Sequence, residues 1–368
     1  MTIAIIGSRG YPHVYSGYET FVKELAERMV KKNVKVIVYC HKNLFESYPK
    51  QVNGIDLVYL PTIETKILSQ FIHSFLSMLH ACTHKNDVIL AVNAANGPWG
   101  LISRIFRRPT FINVDGIEWL RPKWKGLGAK YFRFAARMAT KFYDRIVTDA
   151  DEMRAVYLEE FNTDSTVIMY GSEPAYSKDP SLLDQFQLKP REYYLIVGRL
   201  IPDNNANLLL DGFLASNSSK KLVIAGDVPY KDAYAQHMKS QASDRVIFLG
   251  RVTDRNIIHE LFCNCFAYLH GHEFGGTNPT MIEAIAHGCA ILALNTRFNR
   301  EMLSNGQFGY YFEKQTRSIA QAIKDAESQP LKLEELRSKV RTALTAKYDW
   351  DHITDAYIAL ANELAALK

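Results

Sequence analysis

The feature that most limits what this chain can fold into is a repeated alternation of short apolar runs with helical patterns, which occurs twice. "IAIIG" leads into "TFVKELAERMVKK". Then "VKVIVYC", "IDLVYLP", "DVILAVN", "TFINVDG", "RIVTDA" and "TVIMYG" follow in turn, mostly with helical spacing between them. A strand with one face in water alternates polar and apolar residues, whereas near-continuous apolar strands between helices belong to a parallel sheet covered on both faces. The pattern breaks at 173–190, "EPAYSKDPSLLDQFQLKP", where proline and charge mark a linker. It restarts as "YYLIVGRL", "KLVIAGD", "RVIFLG", "CFAYLHG" and "CAILAL". Two doubly wound domains are expected, 1–172 and 191–345, with a closing helix in 346–368 packing back across their junction.

Composition narrows the class further. The 368 residues, 47% hydrophobic and 23% charged, describe a globular chain long enough for two cores. No run reaches the roughly 18 uninterrupted apolar residues of a spanning helix. The five cysteines have no C-x-x-C spacing, and no secretory signal precedes the first strand, so a reducing cytoplasm is the expected setting. A net charge of +5 is modest, and partners must be sought where basic residues cluster.

In a doubly wound sheet ligands bind beyond the carboxyl ends of the strands, so the loops there carry the function. "HGHEFGGTNPTMIEAIAHG", 270–288, follows such a strand. Asn278 is a good N-cap, Pro279 suits the first helical turn and Gly288 suits the position past the helix end, giving a helix of about ten residues. Gly275 and Gly276 leave room at the helix mouth, where the amides of Gly276, Thr277 and Asn278 can meet a phosphate. Glu283 leans back toward that mouth and can accept hydrogen bonds from sugar hydroxyls; alternatively it is a solvated helix residue. His270 and His272 are ligand contacts or ordinary loop histidines. Gly198 and Arg199 follow the first strand of the second series, where the guanidinium can pair with phosphate oxygens. Gly226 within "AGD" and the loop at Arg251 and Val252 complete four strand-end loops, and a nucleoside diphosphate is the economical occupant.

Two motifs stand out in the first series. "GSRGYPHVYSGYETF" joins its first strand to its first helix, with an anion site at the helix start near Gly17. Arg9 is a candidate for phosphate and Glu19 for an acceptor hydroxyl, or Arg9 is a solvated loop residue. The spacing is not G-x-G-x-x-G, which speaks against a nicotinamide cofactor. In "FINVDGIEWLRPKWKG" a strand ends at Val114, leaving Asp115 and Glu118 at its carboxyl end as groups able to take a proton or orient a sugar; Asp115 equally suits a turn before Gly116.

Taken together, "GRL", "AGD", "FLGRVTD", the glycine-rich loop into "EAIAHG" and the closing "YDW" resemble the retaining glycosyltransferases of family 4 over nearly the whole chain. The fold that resemblance implies is α/β, of GT-B type: two facing Rossmann-like domains, with a C-terminal helix crossing the junction. "GSRGYPHVYSGYETFVKELA", "DGIEWLRPKW" and "HGHEFGGTNPT" resemble more narrowly the bacterial rhamnosyltransferase subgroup. The resemblance implies sugar transfer with retention, without a metal or other cofactor, from a nucleotide-sugar donor, dTDP-L-rhamnose for the subgroup, to a lipid-linked saccharide acceptor. It assigns donor binding to Gly198, Arg199, Asn204, Gly226, Arg251, Val252, His272, Glu273, Gly275 to Pro279 and Glu283. Acceptor binding goes to Arg9, Gly17, Tyr18, Glu19, Trp119, Arg121 and Lys123, with Asp115, Glu118 and Arg199 acting on the reaction.

Two departures are visible. The family's paired glutamates would place the first at Gly275, but the nearest acid is Glu273; its usual lysine after "GRL" is Asn204. Arg199, the mouth amides and His272 are expected to take over the missing charge. Trp119, Arg121, Lys123, Trp124 and Lys125, followed by Lys130, Arg133, Arg137 and Lys141 at helical intervals, offer a face for anionic lipid or for a lipid-linked pyrophosphate, or an ordinary surface helix. "ILSQFIHSFLSMLHAC" is a second amphipathic segment, or a core helix. Peripheral attachment at the cytoplasmic face of a bacterial inner membrane is the expected location. No nucleic-acid module accompanies the basic residues. The competing classes are a UDP- or GDP-sugar transferase, an NAD-dependent oxidoreductase and a non-catalytic nucleotide-sugar-binding protein.

Overall fold

The structure, a computed structural model, describes residues 1–368 apart from 13–16, 64–67, 123, 125, 229–231 and 368, with backbone alone at 68, 345 and 346. It divides into two compact units. The first comprises 1–120, 124–170 and 350–368; the second comprises 121–123 and 171–349.

Among the described residues the first unit builds an eight-stranded sheet. Its strands are β1 Thr2–Ile6, β2 Lys35–His41, β3 Gln51–Val52, β4 Ile55–Leu60, β5 Val88–Val92, β6 Thr110–Val114, β7 Arg145–Thr148 and β8 Thr166–Val167. They lie in the order β3-β4-β2-β1-β5-β6-β7-β8, parallel except for the short hairpin partner β3. Every residue of β5 and β6 is buried, as their unbroken apolar sequences require of central strands. The chain runs outward from β1 in both directions, so a crevice opens between β1 and β5 at their carboxyl ends. The last helix, Trp350–Ala366, packs in this unit: the Tyr357 ring lies 5.5 Å from Phe21, and its hydroxyl accepts from Asn113 Nδ2 at 2.8 Å.

The second unit holds six strands: β9 Tyr193–Val197, β10 Lys221–Ala225, β11 Val246–Gly250, β12 Ala267–His270, β13 Ile291–Leu294 and β14 Tyr310–Phe312. Their order is β11-β10-β9-β12-β13-β14, all parallel, with the reversal point between β9 and β12. Helices Ala206–Ser216 and Thr316–Ser328 close one side, burying Leu209, Leu210, Phe213, Ile319 and Ile323. The segment read as a linker is itself packed. Asp179 caps a 3-10 helix at Pro180–Phe186 whose Leu183 is buried, and the Glu260 carboxylate accepts from the amides of Lys178 and Asp179 and from the Ser177 hydroxyl.

Candidate functional site

At the carboxyl edge of the second sheet, the loops after β9, β10 and β12 come together on backbone contacts. Gly226 shows how close they lie: a Cβ added there would stand 1.8 Å from the carbonyl oxygen of Gly198, so no other residue fits. Asn205 Nδ2 donates to the carbonyl of Gly271 at 2.8 Å and ties the β9 loop to the β12 loop. Asn204 adds a polar relay, its Nδ2 donating to the Arg199 carbonyl at 2.8 Å and its Oδ1 pairing with His272 Nδ1 at 2.9 Å. Because Oδ1 can only accept, His272 carries its proton on Nδ1 there. The Arg199 side chain is exposed and has no acceptor among the described residues.

The helix mouth forms as its local sequence dictates, with one change in its donors. Helix Pro279–Ala286 begins at the Asn278 cap, whose Oδ1 accepts from the Thr280 amide at 3.0 Å, and Gly288 follows its end at φ 71°. It has 8 residues, shorter than expected, because His287 already leaves the helix as its C-cap. The Asn278 amide, expected to face a phosphate, instead donates to Met302 Sδ at 3.3 Å. Gly275 and Gly276 are buried, and neither amide has an acceptor among the described residues. Unpaired amides in so enclosed a loop are free to donate to a bound anion.

The charges around this mouth differ from the expectation in part. Burial first, then the nearby Arg121, holds the His272 imidazole down to about 4, so it is neutral at pH 7 and cannot replace the missing lysine's charge. Glu273 is engaged by Lys314, a residue just after β14 that belongs to no motif. Glu283 is half-buried, 3.6 Å from Arg255 Nη1, with its carboxyl raised above the ordinary range by burial. Arg251 is exposed and Val252 half-buried, both directly after β11. Asp203 is fully buried beside the mouth and takes Arg121 Nε at 2.8 Å; Arg121, expected to meet an acceptor or a lipid, is only 10% exposed and belongs to this pair. Its attachment was illegible because 82 positions separate the partners.

The carboxyl edge of the first sheet gathers a separate set. Asp115 accepts from the Tyr18 hydroxyl on one oxygen and from Tyr170 at 3.2 Å on the other, and burial followed by the Asp115 charge raises the pKa of both phenols, which keeps them as donors. Gly116 at φ 69° makes the turn, so Asp115 both precedes a turn and sits in a polar cluster. Glu118 Oε2 accepts from the Trp124 indole at 2.6 Å. Two of the residues expected at the acceptor are buried. Trp119 is 9% exposed, packed edge-on against Tyr157 and Phe161, because an indole between two helix-borne aromatic rings is worth more buried than wet. Glu19 is 4% exposed and accepts from the Arg9 amide at 3.1 Å, which ties it to the loop after β1. Gly17 starts the helix Gly17–Lys31. Lys123 and Lys125 lie outside the described residues. Among the described residues no cluster of side chains is arranged to hold a metal ion.

The whole chain has the architecture of GT-B glycosyltransferases. It is similar over 100% of both chains to sucrose-phosphate synthase from Thermosynechococcus elongatus, with a TM-score of 0.83 and 16% identity. It is similar over 98% of its length and 99% of the other to Anabaena HepE in complex with UDP, with a TM-score of 0.78 and 17% identity. Residues 182–343 match the family described as Glycosyl transferases group 1. Residues 1–173 match the family described as Domain of unknown function (DUF1972). In sequence the chain is 26% identical over 148 residues to the N-acetylgalactosamine-N,N'-diacetylbacillosaminyl-diphospho-undecaprenol 4-alpha-N-acetylgalactosaminyltransferase of Campylobacter jejuni; the match spans 40% of each protein.

Proposed function

We propose that this protein is a retaining, metal-independent glycosyltransferase that moves a sugar from a nucleotide diphosphate to a lipid-linked saccharide, with dTDP-L-rhamnose as the favoured donor. The observation that carries the reading is the pair of buried amides at Gly275 and Gly276, without acceptors among the described residues, in the same loop cluster as the exposed Arg199. Two amides and a guanidinium supply hydrogen bonds and positive charge where a leaving diphosphate gathers negative charge. Glu283 is suited to sugar or ribose hydroxyls, and Glu273, held by Lys314, to a neighbouring hydroxyl. Asp115, with Tyr18 and Tyr170 as its donors, is the polar group assigned to the acceptor. Retention follows if the acceptor hydroxyl attacks on the face the diphosphate leaves and the departing phosphate takes its proton, which needs no protein nucleophile.

The rhamnose assignment is supported by the three motifs that resemble the rhamnosyltransferase subgroup. A UDP-sugar donor is the second reading, favoured by the structural likeness to HepE, solved with UDP and with UDP-glucose, and by the N-acetylgalactosaminyltransferase relative. Contact with the cytoplasmic face of a membrane is supported by helix Leu127–Phe142, where Leu127 and Phe134 are 84% and 53% exposed beside the exposed Lys130, Arg137 and Lys141. Among the described residues no helix is long and apolar enough to span a bilayer. The test is a panel of dTDP-L-rhamnose, UDP-sugars and GDP-mannose against a lipid-linked acceptor, with the product anomer read by NMR. Transfer from dTDP-L-rhamnose with retained configuration is expected; transfer from a UDP-sugar alone overturns the rhamnose assignment, and no transfer from any donor overturns the enzyme.

A further inference from the structure

A cavity of about 370 Å³ lies in the second unit at the opposite end of its sheet from the Arg199 loops, because its lining residues Arg191 and Gly288 precede β9 and β13. Three guanidiniums line it, from Arg191, Arg337 and Arg341, against one carboxylate, Glu334. Each is anchored by carbonyls. Arg191 Nη1 donates to Cys263 at 3.0 Å and Cys265 at 2.7 Å, Arg341 to Ala175, Ala286 and His287 at 2.8 to 3.1 Å, and Arg337 Nη2 to Phe266. Arg341 is seated so closely that a Cβ on Gly288 would lie 2.4 Å from its guanidinium carbon. Arg337 is only 7% exposed, yet its buried Nε has no acceptor among the described residues.

Concentrating cations in a half-enclosed space is unfavourable without an anion, and an unpaired buried N–H is a further cost. Burial and the neighbouring Arg191 accordingly lower the Arg337 pKa. Glu334 pairs with Arg337 Nη1 and offsets one of the three charges, while the carbonyl anchors neutralise none; a phosphate dianion, with three oxygens for several N–H groups, offsets the other two. The volume stands at the low end of small-molecule sites, too small for a nucleotide sugar and large enough for a monosaccharide phosphate. Tyr176, 61% exposed, stacks on Arg341 at 4.5 Å and gives the cavity an aromatic wall for a sugar ring.

We propose that this cavity is a second ligand site that takes a small phosphate monoester of monosaccharide size. It stands independently of the donor-site reading. The other end of the helix Pro279–Ala286, whose carbonyl at Ala286 Arg341 caps, is the mouth beside Gly276, so one short rigid element joins the two sites.

Calorimetric titration of the 368-residue chain at pH 7.5 tests it, using glucose 1-phosphate, inorganic phosphate and glucose as probes. Wild type is expected to bind glucose 1-phosphate with a Kd on the order of 1 mM or tighter, phosphate several-fold more weakly, and glucose not at all. Glu334→Gln removes the competing carboxylate and should tighten binding by about 5-fold, whereas Ser338→Glu, at an exposed position of the lining, should weaken it by about 10-fold or more. Arg199→Ala should leave it unchanged. No binding of glucose 1-phosphate at 10-fold above that Kd, or phosphate binding as tightly as the sugar phosphate, overturns the proposal. Loss of binding in Arg199→Ala with none in Ser338→Glu does so too, since it places the anion in the donor crevice.

Discussion

Arg199 and Arg121 show how similar side chains take opposite parts. The Arg199 side chain is exposed and has no acceptor among the described residues, so Arg199→Ala should lower kcat/KM by about 100- to 1,000-fold while moving the thermal midpoint by only about 2 °C or less. Steady-state kinetics beside a melting curve separates the two effects. Arg121 faces an Asp203 side chain with 0% exposure, so Arg121→Ala leaves a buried carboxylate without this cation and should cost about 3–5 kcal/mol in urea unfolding. A loss below about 1 kcal/mol would mean that the carboxylate finds another partner. Histidines add a pH dependence. Burial chiefly holds His73, His272 and His287 to about 4 in the folded state, below their ordinary 6.5. Between those values the unfolded chain binds protons that the folded one refuses, so stability is full above pH 6.5 and falls as the pH drops toward 4. Urea midpoints at pH 7.5 and 5 should show that fall, and His272→Gln should reduce it.

Elements were legible in the sequence to the extent that their signals are local. Asn278, Pro279 and Gly288 spell out a helix start and stop within one short stretch, and the start and the glycine lie where those residues put them. Asn278→Ala removes the cap on the Thr280 amide and should cost about 1 kcal/mol, with nucleotide affinity falling several-fold; unchanged affinity would separate this helix from the anion site. The acceptor of the Asn278 amide, Met302, has no local signal because it comes from another helix 24 positions away. β14 carries no readable pattern for a related reason: "YYF" has three residues, one of them exposed, too few to set a period. The central strands, buried on both faces, carried an unbroken apolar signature and were unmistakable.

At the scale of the whole chain, each of two mainly parallel sheets has a point where the strand order switches sides, between β1 and β5 and between β9 and β12, and each such point collects polar loops. The alternation of apolar runs with helices told of both sheets, because it is repeated across hundreds of residues and tolerates local misreading. The pairings that finish the candidate site, Lys314 with Glu273 and Arg121 with Asp203, join residues 41 and 82 positions apart and leave no trace in any one motif. The central claim is that the carboxyl edge of the second unit's sheet grips a nucleoside diphosphate through Arg199 and the amides of Gly275 and Gly276. Calorimetric titration of dTDP and UDP into wild type and Arg199→Ala measures it directly. The account predicts micromolar binding of at least one nucleotide, weakened about 10-fold or more in the variant; equal affinity in both proteins, or no binding to wild type, would contradict it.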